Sequence, residues 1–308
     1  MIDASSPGRY RVGPPAHEKG PIVYLDYDQI ELDAAYDQAV YAPQREQIIA
    51  RLCALSDAAR ERLGAPERFF YGSTEVEYLD LYRAKAERAP LFVFVHGGAW
   101  KMSDPHRHAF AAELFTQAGI HYALLEFVDV ERAGGALTAM AGQICNGIAW
   151  IRDHAEQLGA DAQRIFVGGH SSGAHLAGAV LAKGMHDHGL PPDTIKGALL
   201  CSGMYDLEPV RLSKRSSYVR FDDATVDELS ALRHVANISM PIVLVYGTEE
   251  TPEFKRQSRV FFDALSIAGK PARLIVAKGY NHFDIVESLG NPYGLLGRAA
   301  LELVTRST

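Results

Sequence analysis

The spacing of apolar residues changes character along the chain. From Leu32 to Leu63 it is helical, with Ile48, Ile49, Leu52 and Leu55 on one face, and Gly64-Ala65-Pro66 ends the run. Val76, Tyr78, Leu79, Leu81 and Tyr82 predict a half-buried strand, and Leu91–Val95 a continuous apolar one. A helix is expected near His106–Ala118, a strand at Tyr122–Phe127, a long helix over Leu137–Leu158, a strand at Ile165–Val167 and a helix at Ser172–Lys183. Strands at Ile195–Leu200, Ile242–Tyr246 and Ala272–Val276 follow, with a helix at Pro252–Ala268 before the last. Continuously apolar strands alternating with helices predict an α/β fold whose mostly parallel central sheet is covered on both faces. Residues 203–240 break the alternation and read as an insertion at the sheet end where ligands bind. The expected organisation is an arm and helix over 1–65 that contribute to a cap, and one catalytic domain over 66–308 that carries this insertion.

Charge and cysteine usage narrow the function. Lys plus Arg number 31 against 38 Asp plus Glu, a formal charge of −7, which argues against a nucleic-acid partner. No apolar run approaches the ~18 residues of a membrane helix, so no membrane partner is expected. The segment MIDASSPGRYRVGPP lacks the apolar core of a secretory signal, and the chain is read as cytoplasmic. Cys53, Cys145 and Cys201 are scattered and read as buried free thiols. His186 and His188 form an H-x-H without a third ligand, so no metal is expected, and the chemistry of the remaining motifs calls for no other cofactor. The remaining partner is a small molecule, with a homodimer left open.

The chemistry concentrates at turns that follow strands. Ile165–Val167 runs into Gly168-Gly169-His170-Ser171-Ser172-Gly173 and then a helical stretch, which is G-x-S-x-G between strand and helix. Such a turn projects a serine hydroxyl from the sheet edge, and its glycines let strand and helix approach without Cβ clashes. His96-Gly97-Gly98-Ala99-Trp100 follows Leu91–Val95, where glycines allow backbone N–H groups to face an oxyanion. The N–H groups of Gly97, Gly98 and Ser172 are the candidate donors, and His96, Ala99 and Trp100 are candidate substrate contacts. An acid and then a histidine should come later in the chain. His282, in a loop just past the last apolar strand, is placed to reach back to Ser171 as a general base. Glu249, Glu250 and Asp206 are the candidates for the acid, and spacing does not choose among them.

HGGAW, GHSSGAHL, YDLEP, TPEFKRQS and NHFDIVE, in this order between about Tyr78 and Glu287, resemble the kynurenine formamidase (arylformamidase) branch of the α/β-hydrolases. That branch is related to the hormone-sensitive-lipase-like esterases. The resemblance implies the α/β-hydrolase fold and a triad of Ser171, Glu250 and His282. Three positions depart from the family pattern. Glu250 stands where the family has Asp, Ala99 replaces an aromatic, and Phe127–Glu131 lacks the usual Tyr-x-Leu-x-Pro. The implied activity is cleavage of a carboxylic ester or an aryl formamide or amide through an acyl-enzyme. A dedicated arylformamidase acting on N-formylkynurenine is one alternative, and a non-catalytic ligand receptor on the same fold is another.

Specificity is expected from the arm, Trp100 and the insertion. Tyr24, Tyr27, Tyr36 and Tyr41 are candidates for the floor of an aromatic pocket, with core or surface packing the simpler expectation for most of them. Arg211–Arg220 is locally basic, and two readings apply: one of its cations holds a substrate carboxylate, or the stretch is a solvated loop face. The second is the simpler expectation.

Overall fold

The computed structural model describes residues 13–14, 16–101 and 105–306; the first twelve residues of the expected arm, and Pro15, lie outside the described residues. Strands β1 (Ile22–Tyr24) and β2 (Tyr27–Asp28) form a small hairpin. The other eight strands form one sheet: β3 (Glu67–Phe70), β4 (Tyr78–Tyr82), β5 (Ala89–Val95), β6 (His121–Leu125), β7 (Ala160–His170), β8 (Ile195–Cys201), β9 (Ile242–Gly247) and β10 (Ala272–Ala277). Their order is β10-β9-β8-β7-β5-β6-β4-β3. All neighbours are parallel except β4, which runs antiparallel to both β3 and β6.

The ten α-helices among the described residues are α1 (Gln29–Ala35), α2 (Arg45–Leu63), α3 (Ala112–Gln117), α4 (Leu137–Asp153), α5 (Ser172–Ala179), α6 (Met185–Asp187), α7 (Glu208–Arg211), α8 (Asp223–Leu229), α9 (Pro252–Ile267) and α10 (Leu295–Arg306). Strand periodicity assigns them to faces. In β5, Leu91, Val93 and Val95 share one core with apolar residues of α4, α5, α8 and α9. Phe92 and Phe94 share the other with α2, α3 and α10. Every residue of β5 is buried, which is why the strand reads as an unbroken apolar run.

Local chemistry moved several boundaries. The helical run expected over 32–63 is broken between α1 and α2 by a 3₁₀ turn at Gln38–Tyr41, where the Asp37 carboxylate caps the Ala39 N–H. Pro43 then denies the backbone a donor and keeps α1 and α2 separate. Ser172–Lys183 starts as α5 and widens into a π-turn at Val180–Gly184. Strand β3 and helix α10 are additions to the expected elements. The insertion is a chain of short helices, with α7, α8 and 3₁₀ turns at Lys214–Ser217 and Ala231–Asn237. Among the described residues no helix is long and apolar enough to cross a membrane.

Close approach at the β7–α5 turn needs glycine. A Cβ on Gly173 would lie 2.2 Å from the Val95 carbonyl oxygen and 2.4 Å from that of His96; one on Gly169 would lie 2.7 Å from the Gly173 carbonyl oxygen. Gly142, on α4, has open space at the same position. Gly173→Ala should therefore lower stability by about 1–3 kcal/mol in urea denaturation, whereas Gly142→Ala should raise it by about 0.5–1 kcal/mol. Equal effects of the two substitutions would contradict this packing.

Candidate active site

Four neighbouring strands, β7 to β10, end at one edge of the sheet, and each delivers one part of the site. At the end of β7, Ser171 holds φ 57° and ψ −126°. A positive φ is costly for a residue with a Cβ, and here it turns the chain sharply from strand into helix. The Ser171 N–H donates to the Cys201 carbonyl at 2.9 Å, which anchors the turn to β8. Its hydroxyl donates to His282 Nε2 at 2.8 Å, and His282 Nδ1–H donates to Glu250 Oε2 at 2.9 Å.

The Glu250 carboxylate is fully buried and receives four donors. Oε1 accepts from Ser202 Oγ and from the Gly247 N–H, both at 2.6 Å. Oε2 accepts from His282 and, at 3.2 Å, from Gln38 Nε2 on the 3₁₀ turn before α2. A buried carboxylate needs such donors to replace the hydrogen bonds it has lost from water. The other two candidates for the acid stand apart. Among the described residues Glu249 Oε1 meets only the Thr248 hydroxyl, at 3.4 Å, and Asp206 Oδ1 accepts from the Glu208 N–H.

The loop after β5 lies against this serine. A Cβ on Gly97 would sit 2.8 Å from the His170 carbonyl oxygen and 3.0 Å from Ser171 Cβ. Gly98, Ala99 and Trp100 all have positive φ, at 127°, 55° and 64°. The strained course is held by Ser172 Oγ, which accepts from the Trp100 N–H at 3.2 Å, and by the Val130 N–H, which donates to the Trp100 carbonyl at 2.8 Å. Neither the Gly97 nor the Gly98 N–H meets a backbone acceptor among the described residues. Ser172 opens α5, so its N–H also lacks an intrahelical acceptor. Donors of this kind beside a serine hydroxyl suit a developing oxyanion.

A cleft of about 570 Å³ opens over Ser171. Gly97, Gly98, Ala99, His170 and His282 line its base; Tyr36–Ala39, the Arg45–Leu52 face of α2 and Arg215 line its walls. Two of the expected substrate contacts are not brought to it. Trp100 is only 2% exposed, because its indole N–H donates to His175 Nδ1 at 3.2 Å and its ring packs edge-on against that imidazole. His96 stacks on Phe127, donates from Nδ1 to the Gly97 carbonyl at 2.9 Å, and has Nε2 3.3 Å from Glu126 Oε1. Both rings brace the loop from behind. Of the four arm tyrosines only Tyr36 borders the cleft, and its hydroxyl is bonded to the buried Glu253 at 2.8 Å.

Sequence reasoning missed Ser202, Gln38 and His170. Ser202 ends β8 with φ 57°, a kink that aims its hydroxyl at Glu250. His170 Nε2–H donates to the His282 carbonyl at 2.9 Å and fixes the backbone of that loop. Its neighbour in the motif offered no hint of this, since the contact spans 112 residues.

Comparisons agree with this architecture. The family profile BD-FAE matches residues 79–191. Kynurenine formamidase of Danio rerio is 26% identical, over 90% of this chain and 97% of that protein. Isoprenylcysteine alpha-carbonyl methylesterase of Arabidopsis thaliana is 25% identical, over 70% of this chain and 56% of that protein. Among solved structures, the Pyrobaculum calidifontis esterase superposes with a TM-score of 0.70 at 17% identity, over 87% of this chain and 93% of that one.

Burial also sets a pH dependence of stability. His175 is pushed down to about 4 by burial, with Arg215 adding to the effect, and burial followed by the charge of His282 holds His170 well below the ordinary histidine range. Both are neutral when folded, while the unfolded chain takes up their protons below about pH 6.5. The folded state is thus favoured above that pH and loses stability as the pH falls through it, by up to about 1.4 kcal/mol per unit for each histidine. Urea unfolding should give constant stability from pH 8 to 7 and a clear fall from 6.5 to 5. A flat profile across that lower window would contradict neutral burial.

Proposed function

We propose that this chain, which has the α/β-hydrolase fold and is similar to formamidases and esterases, cleaves a carboxylic ester or an aryl formamide through an acyl-enzyme on Ser171. The observation that carries this reading is the unbroken hydrogen-bonded line from Ser171 Oγ through His282 to the buried Glu250. His282 Nε2 takes the hydroxyl proton as Ser171 Oγ bonds to the carbonyl carbon. The oxyanion is met by the N–H groups of Gly97, Gly98 and Ser172. As the intermediate collapses, His282 returns the proton to the departing alcohol or amine, and a water activated by the same imidazole then releases the acid.

Glu250 holds the imidazole in the tautomer that leaves Nε2 free to accept, and it stabilises the imidazolium that forms. Residues 36–52 and the insertion act as a cap over the cleft. A second reading, a dedicated arylformamidase, is favoured by the near full-length match to kynurenine formamidases.

Steady-state kcat/KM on N-formylkynurenine and on a p-nitrophenyl short-chain ester tests both. Turnover of either by the native chain, lost in Ser171→Ala, is the expected result; a formamide value far above the ester value would favour the dedicated formamidase. Activity surviving in Ser171→Ala would refute the mechanism. On the better substrate, Glu250→Gln should lower kcat by about 10⁴, and Glu249→Gln should leave it within about threefold, because a solvated side chain without contact to His282 has little to lose. The reverse order would reassign the acid.

A further inference from the structure

The basic stretch of the insertion does not behave as one solvated face. Arg211 Nη1 meets Asp223 at 2.6 Å, Lys214 Nζ meets Asp37 at 2.5 Å, and Arg220 is exposed. Arg215 differs from these. It is only 7% exposed, it lines the cleft that holds Ser171, and no carboxylate of the described residues lies within ion-pair reach of it.

The partners of its guanidinium are neutral. Nη2 donates to the Tyr36 carbonyl at 2.8 Å, and Nη1 donates to the Tyr218 hydroxyl at 2.9 Å. The Trp100 ring lies 5.2 Å from the guanidinium carbon. Nε–H is buried and has no acceptor among the described residues. The acidic groups on the cleft wall are already engaged: Asp37 accepts from Lys214 and from the Ala39 N–H, and Glu46 accepts from Arg45 at 2.8 Å. Asp37 feels the Arg215 charge through space but is itself paired with Lys214; a guanidinium withdrawn from water without a contacting counter-charge is costly. Two neutral acceptors and a ring recover only part of that, and a structural tie between insertion and arm would not need the charge.

We propose that Arg215 binds a carboxylate carried by the substrate, so that the natural ester or amide is an anion. This rests on the hydrolase reading above. An arriving carboxylate would supply both the missing counter-charge and an acceptor for Nε–H, in the fork geometry that suits arginine.

Two matched pairs test it, since the carboxylate can lie on either side of the scissile bond. For the leaving group the pair is 4-acetoxybenzoate and its methyl ester; for the acyl group it is 4-nitrophenyl hydrogen adipate and 4-nitrophenyl hexanoate, each corrected for uncatalysed hydrolysis. The native chain should prefer the charged member of at least one pair. Arg215→Met should lower that charged-to-neutral ratio of kcat/KM by about ten- to hundredfold, and Arg215→Lys should retain part of it. The ratio is read within each variant, so a general loss of folded protein cancels. A native chain that turns over neutral substrates without charge preference, or a ratio unchanged in both variants, overturns the role of Arg215 and leaves the hydrolase standing. No turnover of any of the four compounds or of N-formylkynurenine overturns the hydrolase reading and the proposal with it; turnover of N-formylkynurenine alone moves the charged-to-neutral comparison to that compound and its methyl ester.

Discussion

A carboxylate hidden from water is the constraint around which this molecule is organised. Glu250 is wholly buried, and its four lone-pair directions are filled by donors from four separate places. The Gly247 N–H ends β9, the Ser202 hydroxyl ends β8, His282 stands beyond β10, and Gln38 comes from the segment that precedes the sheet. Any one of these donors withdrawn would leave a charge partly unpaired in a medium that solvates it poorly. The strand order β10-β9-β8-β7 then matters directly, because it places these donors side by side and sets Ser171, at the end of β7, within 2.8 Å of the imidazole. Sheet order, arm and site are therefore one electrostatic problem with one solution.

The second organising feature is the tightness of the β7–α5 turn. Gly169 and Gly173 let the helix start against the backbone of β5, with no room for even a methyl group. That contact brings the Gly97–Trp100 loop against Ser171 and allows Ser172 Oγ to fix the Trp100 N–H. His175 and His96 hold the loop from behind, one through the Trp100 indole and the other through the Gly97 carbonyl. The strain of the positive φ angles at Ala99 and Trp100 is thus balanced by buried side chains, an arrangement that keeps the loop fixed against Ser171.

Much of this was legible from residues alone, for a reason that separates the two kinds of information. Ser171, the glycines around it and the Gly97-Gly98 turn are marked by local requirements: a strand, a sharp bend and a helix within a dozen residues. His282 was legible because it follows a strand that sequence patterning could place. Glu250 and Glu249 are adjacent, and which one meets the imidazole depends on how the turn after β9 folds back on the Gly247 N–H, a tertiary outcome. The same holds for Ser202, Gln38 and Arg215, whose roles are created by contacts across tens to hundreds of residues. Trp100 and His96 were misplaced in the opposite sense. Their motif position suggested the pocket, but large rings beside a tightly bent backbone had more to gain from burial behind it.

The most direct measurement is peptide mapping by mass spectrometry after reaction of the native chain with a neutral fluorophosphonate. One adduct is predicted, on Ser171, because among the described residues only that hydroxyl is paired with a histidine held by a buried carboxylate. An unmodified Ser171, or an adduct on another serine under the same conditions, would contradict it.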